Sequence, residues 1–117
     1  MSYSMFIGRW QPWHNGHQWL IDQRKDKCKK VLICIRDVPK DEKNPFTPEE
    51  VRDNLCDRFE EEIRQGTIKV MIIPDIESVN YGRGVGYEII EHVPPAAIEA
   101  ISATKIRAEL REQGKIT

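Results

Sequence analysis

Short apolar blocks alternate with longer amphipathic ones along the first two thirds of the chain. Residues 3–7 end in Met-Phe-Ile and predict a first strand. Residues 15–25 predict a helix, with Trp19, Leu20 and Gln23 facing inward. Residues 29–36 contain Val-Leu-Ile-Cys-Ile, a short continuous apolar run that suits a strand buried on both faces. A polar loop follows over residues 37–45. Thr47, Pro48 and Glu50 then give a strong helix start: a capping hydroxyl, a proline at the first helical position and an acid at the third. Val51, Leu55, Phe59 and Ile63 recur every four residues, which predicts one helix over residues 48–64, closed by Gly66. Residues 68–73 are a third buried strand, stopped by Pro74.

The last third is less regular. Residues 81–86 carry three glycines in a loop that no long helix follows, so they are no dinucleotide fingerprint. Residues 87–92 predict a fourth strand, broken by Pro94-Pro95. Residues 96–100 predict one helical turn, and residues 104–113 a final helix capped near Ser102 and ended by Gly114. Strand, helix, strand, helix, strand with short connections predicts parallel βαβ units with right-handed crossovers. The expected architecture is α/β: a single Rossmann-like domain over residues 1–117, with a parallel sheet of about four to five strands flanked by helices. In such sheets ligands bind at the carboxyl ends of the strands, where the strand order reverses.

Composition narrows the function classes. A chain of 117 residues holds one small core, which leaves room for a homo-oligomer. The net charge of −1 gives no bulk basic excess, so no nucleic-acid partner is expected, while a local cationic site remains open. No apolar run approaches the roughly 20 residues that span a bilayer. With no membrane partner and no secretory pattern at the start, the expectation is a cytoplasmic protein. Cys28, Cys34 and Cys56 are odd in number and lack C-x-x-C spacing, so they read as reduced thiols, neither disulfide nor zinc ligands. Cys34 reads as a small core residue.

The chemistry concentrates in residues 8–17, Gly-Arg-Trp-Gln-Pro-Trp-His-Asn-Gly-His, between the first strand and the first helix. His14 and His17 fall three residues apart at the helix start, on one face. Unpaired N–H groups and the helix dipole make such a terminus attractive to phosphate. Gly16, between the two imidazoles, admits close approach of a ligand to the backbone.

The His14-Asn15-Gly16-His17 run resembles the H-x-G-H signature of the nucleotidylyltransferase superfamily, and Gly8-Arg9-x-Gln11-Pro12 resembles its adenylyltransferase branch. Two further blocks follow in family order. Asn44-Pro45-Phe46-Thr47 is similar to a segment of nicotinamide-mononucleotide adenylyltransferase-like proteins, and Ile101-Ser102-Ala103-Thr104-Lys105-Ile106-Arg107 resembles the I-S-x-T-x-x-R signature. The resemblance implies transfer of a nucleotidyl group, AMP from ATP in the favoured reading, to a small phosphate-bearing acceptor with release of pyrophosphate. It implies His14, His17 and Arg107 as catalytic residues, with Arg107 gripping the leaving phosphates. Gly8, Arg9, Gly16, Ser102 and Thr104 would bind the nucleotide. No protein metal site is implied; Mg²⁺ would be carried mainly by the triphosphate. The alternatives are cytidylyl transfer from CTP to an alcohol phosphate, and a nucleotide-binding module without catalysis. Residues 76–101 are fewer than in the resembled enzymes, which bears on the acceptor pocket, and Ala103 stands where relatives often have Gly. Trp10 and Trp13 stand where smaller aromatics are expected, and either packing or stacking on a base or acceptor fits them. Arg36, Asp37, Lys40, Lys43, the acid run at residues 60–62 and His92 read as solvated or without a partner pattern.

Overall fold

The computed structural model describes residues 2–27, 29–84 and 86–116; Cys28 lies outside them. Eight elements follow in order: β1 (Tyr3–Gly8), α1 (Asn15–Lys25), β2 (Lys30–Asp37), α2 (Pro48–Arg58), α3 (Glu60–Gln65), β3 (Ile68–Pro74), α4 (Ala96–Glu99) and α5 (Ala103–Glu112). All three strands run parallel, in the order β1-β2-β3. The α/β architecture is thus the expected Rossmann-like one, a parallel sheet flanked by helices, but it has three strands among the described residues, not four to five. Residues 87–92 form no strand: they pair with no neighbour and carry Glu88 and Glu91 between their apolar side chains. Because β1, β2 and β3 follow chain order, the strand order does not reverse within this sheet.

Register decides which residues are covered. Phe6, Ile33 and Val70 lie in one row, with Val31 and Ile68 in the row before it. That face meets Ile21 of α1 and Val51 and Leu55 of α2 in one core, so both helices pack on the same side of the sheet. Val31, Ile33 and Ile35 are fully buried there. At about 25 cal/mol per Å² of apolar surface removed from water, this layer is the main source of stability. The inward residue of α1 is Ile21, which has no exposed surface, while Trp19 and Leu20 are only partly buried. Leu20 packs against the core as expected, and Ile21 is the fully buried residue beside it.

The capping box at Thr47 forms as its sequence requires: Thr47 Oγ1 accepts from the Glu50 N–H at 3.1 Å, and Glu50 Oε1 from the Thr47 N–H at 3.0 Å. The single helix expected over residues 48–64 is broken at Phe59, whose backbone leaves the helical region at φ −112° and ψ 28°. Phe59 stays buried at this bend, its ring edge-on to Trp13 at 5.5 Å. Gly66 closes α3 in the left-handed conformation, φ 78°, which a residue without Cβ adopts cheaply. The acidic run at residues 60–62 is paired: Glu60 and Glu61 with Arg64, and Glu62 with Lys25.

Candidate active site

The loop from Gly8 to His14 leaves the carboxyl end of β1 and turns into α1. Trp10 takes a positive φ of 54°, rare for a large side chain, and burial holds it there. Its indole is 5% exposed, folds back over Gly8 and donates from Nε1 to the Cys34 carbonyl at 3.1 Å. A Cβ on Gly8 would sit 2.9 Å from that ring. The absence of a side chain at Gly8 therefore makes room for Trp10. Trp13 is 8% exposed and packs against Trp10, His17 and Phe59. Both tryptophans belong to the hydrophobic core, which resolves their two readings in favour of packing.

His14 is the N-cap of α1 and His17 its third residue, and the two close a capping box made of imidazoles. His14 Nδ1 accepts from the backbone N–H of Gly16 at 3.0 Å and of His17 at 3.4 Å. His17 Nδ1 accepts from the His14 N–H at 3.3 Å. The rings stack with centroids 3.7 Å apart and planes 16° from parallel. An Nδ1 that accepts a backbone hydrogen carries none itself, so each neutral ring bears its proton on Nε2. Both imidazoles thus keep one N–H donor on the side away from the cap.

Burial makes that neutral state persist. It lowers the His17 pKa from 6.5 to about 3, with a further contribution from the His14 charge, and it lowers His14 as well. The sign of the consequence is fixed. The folded His17 binds a proton less readily than the unfolded chain, so stability is full above pH 6.5 and falls as pH drops from 6.5 toward 3. We predict that acid unfolding, followed by circular dichroism, begins at a higher pH in the parent than in His17→Gln, which has no imidazole to charge.

Gly16 serves this arrangement. A Cβ there would lie 2.8 Å from Cε1 and 3.0 Å from Nδ1 of His14, and 3.9 Å from Cβ of Ile101. The His14 ring is stiffly placed against the helix terminus and cannot give way without losing its cap. Gly16→Ala is expected to disturb the ring pair and lower any turnover by about tenfold or more. Because the helical propensity of Ala offsets part of the strain, thermal stability should change little; a matched loss of both would contradict this.

The second and third blocks meet the first at this loop. Gln11 is 4% exposed; its Nε2 donates to the Phe46 carbonyl at 2.9 Å and its Oε1 accepts from the Phe46 N–H at 3.1 Å. Arg9 Nη1 donates to Asn44 Oδ1 at 3.4 Å. Asp41 Oδ1 in turn accepts from the N–H groups of Lys43 and Asn44 and from the Asn44 side chain, which folds the loop before α2. Removing the amide in Gln11→Ala leaves a half-buried donor and acceptor of Phe46 without these partners, and should cost about 1–3 kcal/mol of unfolding free energy in denaturant titration.

From the other end of the chain, Ser102 caps α5, its Oγ accepting from the Lys105 N–H at 3.4 Å. Arg107, one turn on, is 7% exposed. Its Nη1 donates to the Gln11 carbonyl at 2.8 Å and its Nη2 to Thr104 Oγ1 at 3.4 Å. Two of its five N–H groups are engaged in these bonds. Arg111, one turn further, donates to the Glu42 carbonyl. The Arg107 pKa is lowered first by burial, then by the charges of Arg9 and Arg111, while Asp41 acts in the opposite sense. Arg9 and Arg111 thus lie close enough to repel the Arg107 charge, and Asp41 close enough to attract it.

His14, Gly16, His17, Gly8 and Arg9 therefore lie on one loop and helix start, and Arg107 reaches that loop from α5 with Thr104 and Ser102 on the same first turn. Lys105 is exposed. Gln11, Asn44, Asp41 and Arg111 are the residues to which sequence reasoning gave no role. Arg111 had a signal, since it stands four residues after Arg107 on the same helix face. Gln11 had one too, a polar residue between two tryptophans. Among the described residues no group of three or more His, Cys, Asp or Glu side chains is placed to hold a metal ion. No helix among them is long and apolar enough to cross a membrane.

Comparison with known proteins bears on the same region. A family model described as cytidylyltransferase-like matches residues 5–69. The nicotinamide-nucleotide adenylyltransferase of Thermococcus sibiricus is 35% identical over 75 residues, which cover 62% of this chain and 40% of that protein. Those of Methanocorpusculum labreanum and Methanococcus aeolicus are 37% and 39% identical over 49 and 46 residues, covering 40% and 38% of this chain. The matched segments span 29% and 27% of these two relatives, so the chain spans less than half the length of the curated relatives it matches.

Proposed function

We propose, from the premise that this chain belongs to the cytidylyltransferase-like family, that it is a nucleotidylyltransferase that moves AMP from ATP to a small phosphate-bearing acceptor. The observation that carries the reading is the 2.8 Å bond from Arg107 to the Gln11 carbonyl. It brings the C-terminal guanidinium onto the loop that ends in the two imidazoles, across 96 positions of sequence. The relatives named above are nicotinamide-nucleotide adenylyltransferases, so nicotinamide mononucleotide is the first acceptor to test.

The reaction asks little covalent chemistry of the protein. A phosphate oxygen of the acceptor forms a bond to the α-phosphorus, the bond from that phosphorus to the bridging oxygen breaks, and pyrophosphate leaves with the electron pair. Catalysis then consists of positioning and of stabilising charge on the phosphate oxygens. Neutral His14 and His17 would each offer an Nε2–H at the α1 terminus, whose own N–H groups at His14, Gly16 and His17 are taken by the cap. Arg107 would hold the departing β- and γ-phosphates with its remaining donors, and an anion there would relieve the repulsion it shares with Arg9 and Arg111. Gly8 and Gly16 would act by letting Trp10 and His14 settle; Ser102 and Thr104 would fix the start of α5. This donor set is cationic or neutral and suits phosphate oxygens better than a bare cation. Mg²⁺ would come with the triphosphate and neutralise part of its charge.

The deciding experiment incubates the protein with α-labelled ATP or CTP, Mg²⁺ and a panel of acceptors that includes nicotinamide mononucleotide and simple alcohol phosphates, and follows pyrophosphate release. ATP with a mononucleotide acceptor is the expected pair. CTP with an alcohol phosphate would replace the base and acceptor assignment. Tight nucleotide binding without pyrophosphate release would favour a non-catalytic module. That second reading draws on the 76–101 stretch, whose described residues contribute α4 alone to regular structure.

A further inference from the structure

Among the described residues, no helix packs on the second face of the sheet. Its rows are Tyr3 with Lys30, then Met5 with Leu32 and Lys69, then Ile7 with Cys34 and Met71. Parallel sheets are ordinarily covered on both faces. Here Tyr3, Met5 and Met71 are 42%, 56% and 40% exposed. Among the described residues no strand pairs with the outer edge of β1, and such an edge is a template for further pairing.

Nine large hydrophobic side chains are exposed among the described residues. Three are the ones just named; the other six lie between positions 79 and 93. The strap over residues 87–93 holds most of these, with Ile89 62% and Val93 77% exposed. A groove of about 850 Å³ runs between β1 and this strap. Exposed apolar surface collected in one place marks an interaction site.

Charge says what fits. The β1 side of the groove and the helix-free face carry Arg24, Lys29, Lys30 and Lys69, whereas the strap on the other side of the groove carries Glu88 and Glu91. Among the described residues, no ion pair joins those two acids to those four bases within the chain. The strap lines the groove without filling it, and each surface has the chemistry the other lacks. A surface that holds both halves of a complementary pair is self-complementary, which is the requirement for a two-fold interface.

We propose that a second copy of this chain docks here: the 87–93 strap of each protomer seats in the groove along β1 of its partner, with Glu88 and Glu91 facing the basic rim. The interface is separate from nucleotidyl transfer and is read by molar mass alone.

The test is sedimentation equilibrium of the full chain over a wide concentration range. The expected result is a reversible monomer–dimer equilibrium. Ile89→Lys with Ile90→Lys, both exposed in the monomer, should weaken it by about tenfold or more while leaving unchanged the thermal midpoint taken at dilutions where the parent is monomeric. Charge reversal gives an independent check. Glu88→Lys with Glu91→Lys should weaken dimerisation, as should Lys30→Glu with Lys69→Glu, and the four changes together should restore it. A monomer at every concentration overturns the proposal. So does a dimer indifferent to the strap variants, or reversed charges that show no mutual rescue.

Discussion

His14→Asn is expected to lower turnover by about a hundredfold or more, with little loss of fold. The size follows from what the ring supplies. A preorganised donor aimed at charge developing on a transferred phosphate is worth about two to three orders of magnitude in rate. The stability expectation follows from geometry. His14 Nδ1 accepts the helix N–H groups of Gly16 and His17, and an asparagine oxygen can take over as N-cap. What the variant lacks is the Nε2–H on the far side of the ring. His14→Ala removes both functions and should add a loss of about 1 kcal/mol in unfolding free energy. Turnover by pyrophosphate release and stability by denaturant titration separate the two. Equal defects in Asn and Ala variants, matched by equal losses of stability, would make His14 a structural cap and nothing more.

Arg107→Lys should be nearly as damaging, through a different parameter. Arginine presents a planar fork that holds the Gln11 carbonyl and Thr104 Oγ1 and still has donors to spare. Lysine keeps the charge but offers a single ammonium that cannot span those partners and a phosphate together. The expected result is a loss of about a hundredfold in kcat/KM. The loss should include a raised KM for the nucleotide, since charge is retained but placement is not. Arg107→Met would further leave the buried Gln11 carbonyl without its donor and should cost about 1–3 kcal/mol in stability. Unchanged kinetics in Arg107→Lys, with the fold intact, would remove the guanidinium from the site.

How much of this could be read from the residues alone depends on the range of the interaction. The strands at 3–7, 29–36 and 68–73 are short, mostly apolar segments built around Met-Phe-Ile, Val-Leu-Ile-Cys-Ile and Val-Met-Ile-Ile, and that pattern is local. Thr47 and Ser102 cap helices because the cap is made within three residues. The position of Phe59 could not be read this way. Its spacing continues the stripe begun at Val51, yet its backbone leaves the helical region at the point where its ring meets Trp13 from another part of the chain. Residues 87–92 have the composition of a strand, but a strand also needs an edge to pair with, and in this fold they pair with none.

The candidate site divides along the same line. The H-x-G-H spacing places both imidazoles at one helix start, so that much is local. The reciprocal cap, in which each Nδ1 takes the other's backbone N–H, depends on backbone geometry and sets the proton on Nε2. Gly8 and Gly16 were expected to admit a ligand; the space beside them is instead filled by Trp10 and His14. Gln11 had no assigned role because its partner Phe46 is 35 positions away. The approach of α5 to the first loop is longer-range still, and only the shared resemblance of the two blocks hinted at it.

The central claim is that both ends of the chain engage one polyphosphate, and an NMR titration tests it most directly. Side-chain nitrogen signals of His14, His17 and Arg107 would be followed as a non-hydrolysable ATP analogue is added with Mg²⁺. The account predicts that all three move together and saturate at one common concentration. Imidazole signals that shift while the guanidinium stays still, or two sets that saturate separately, would contradict it.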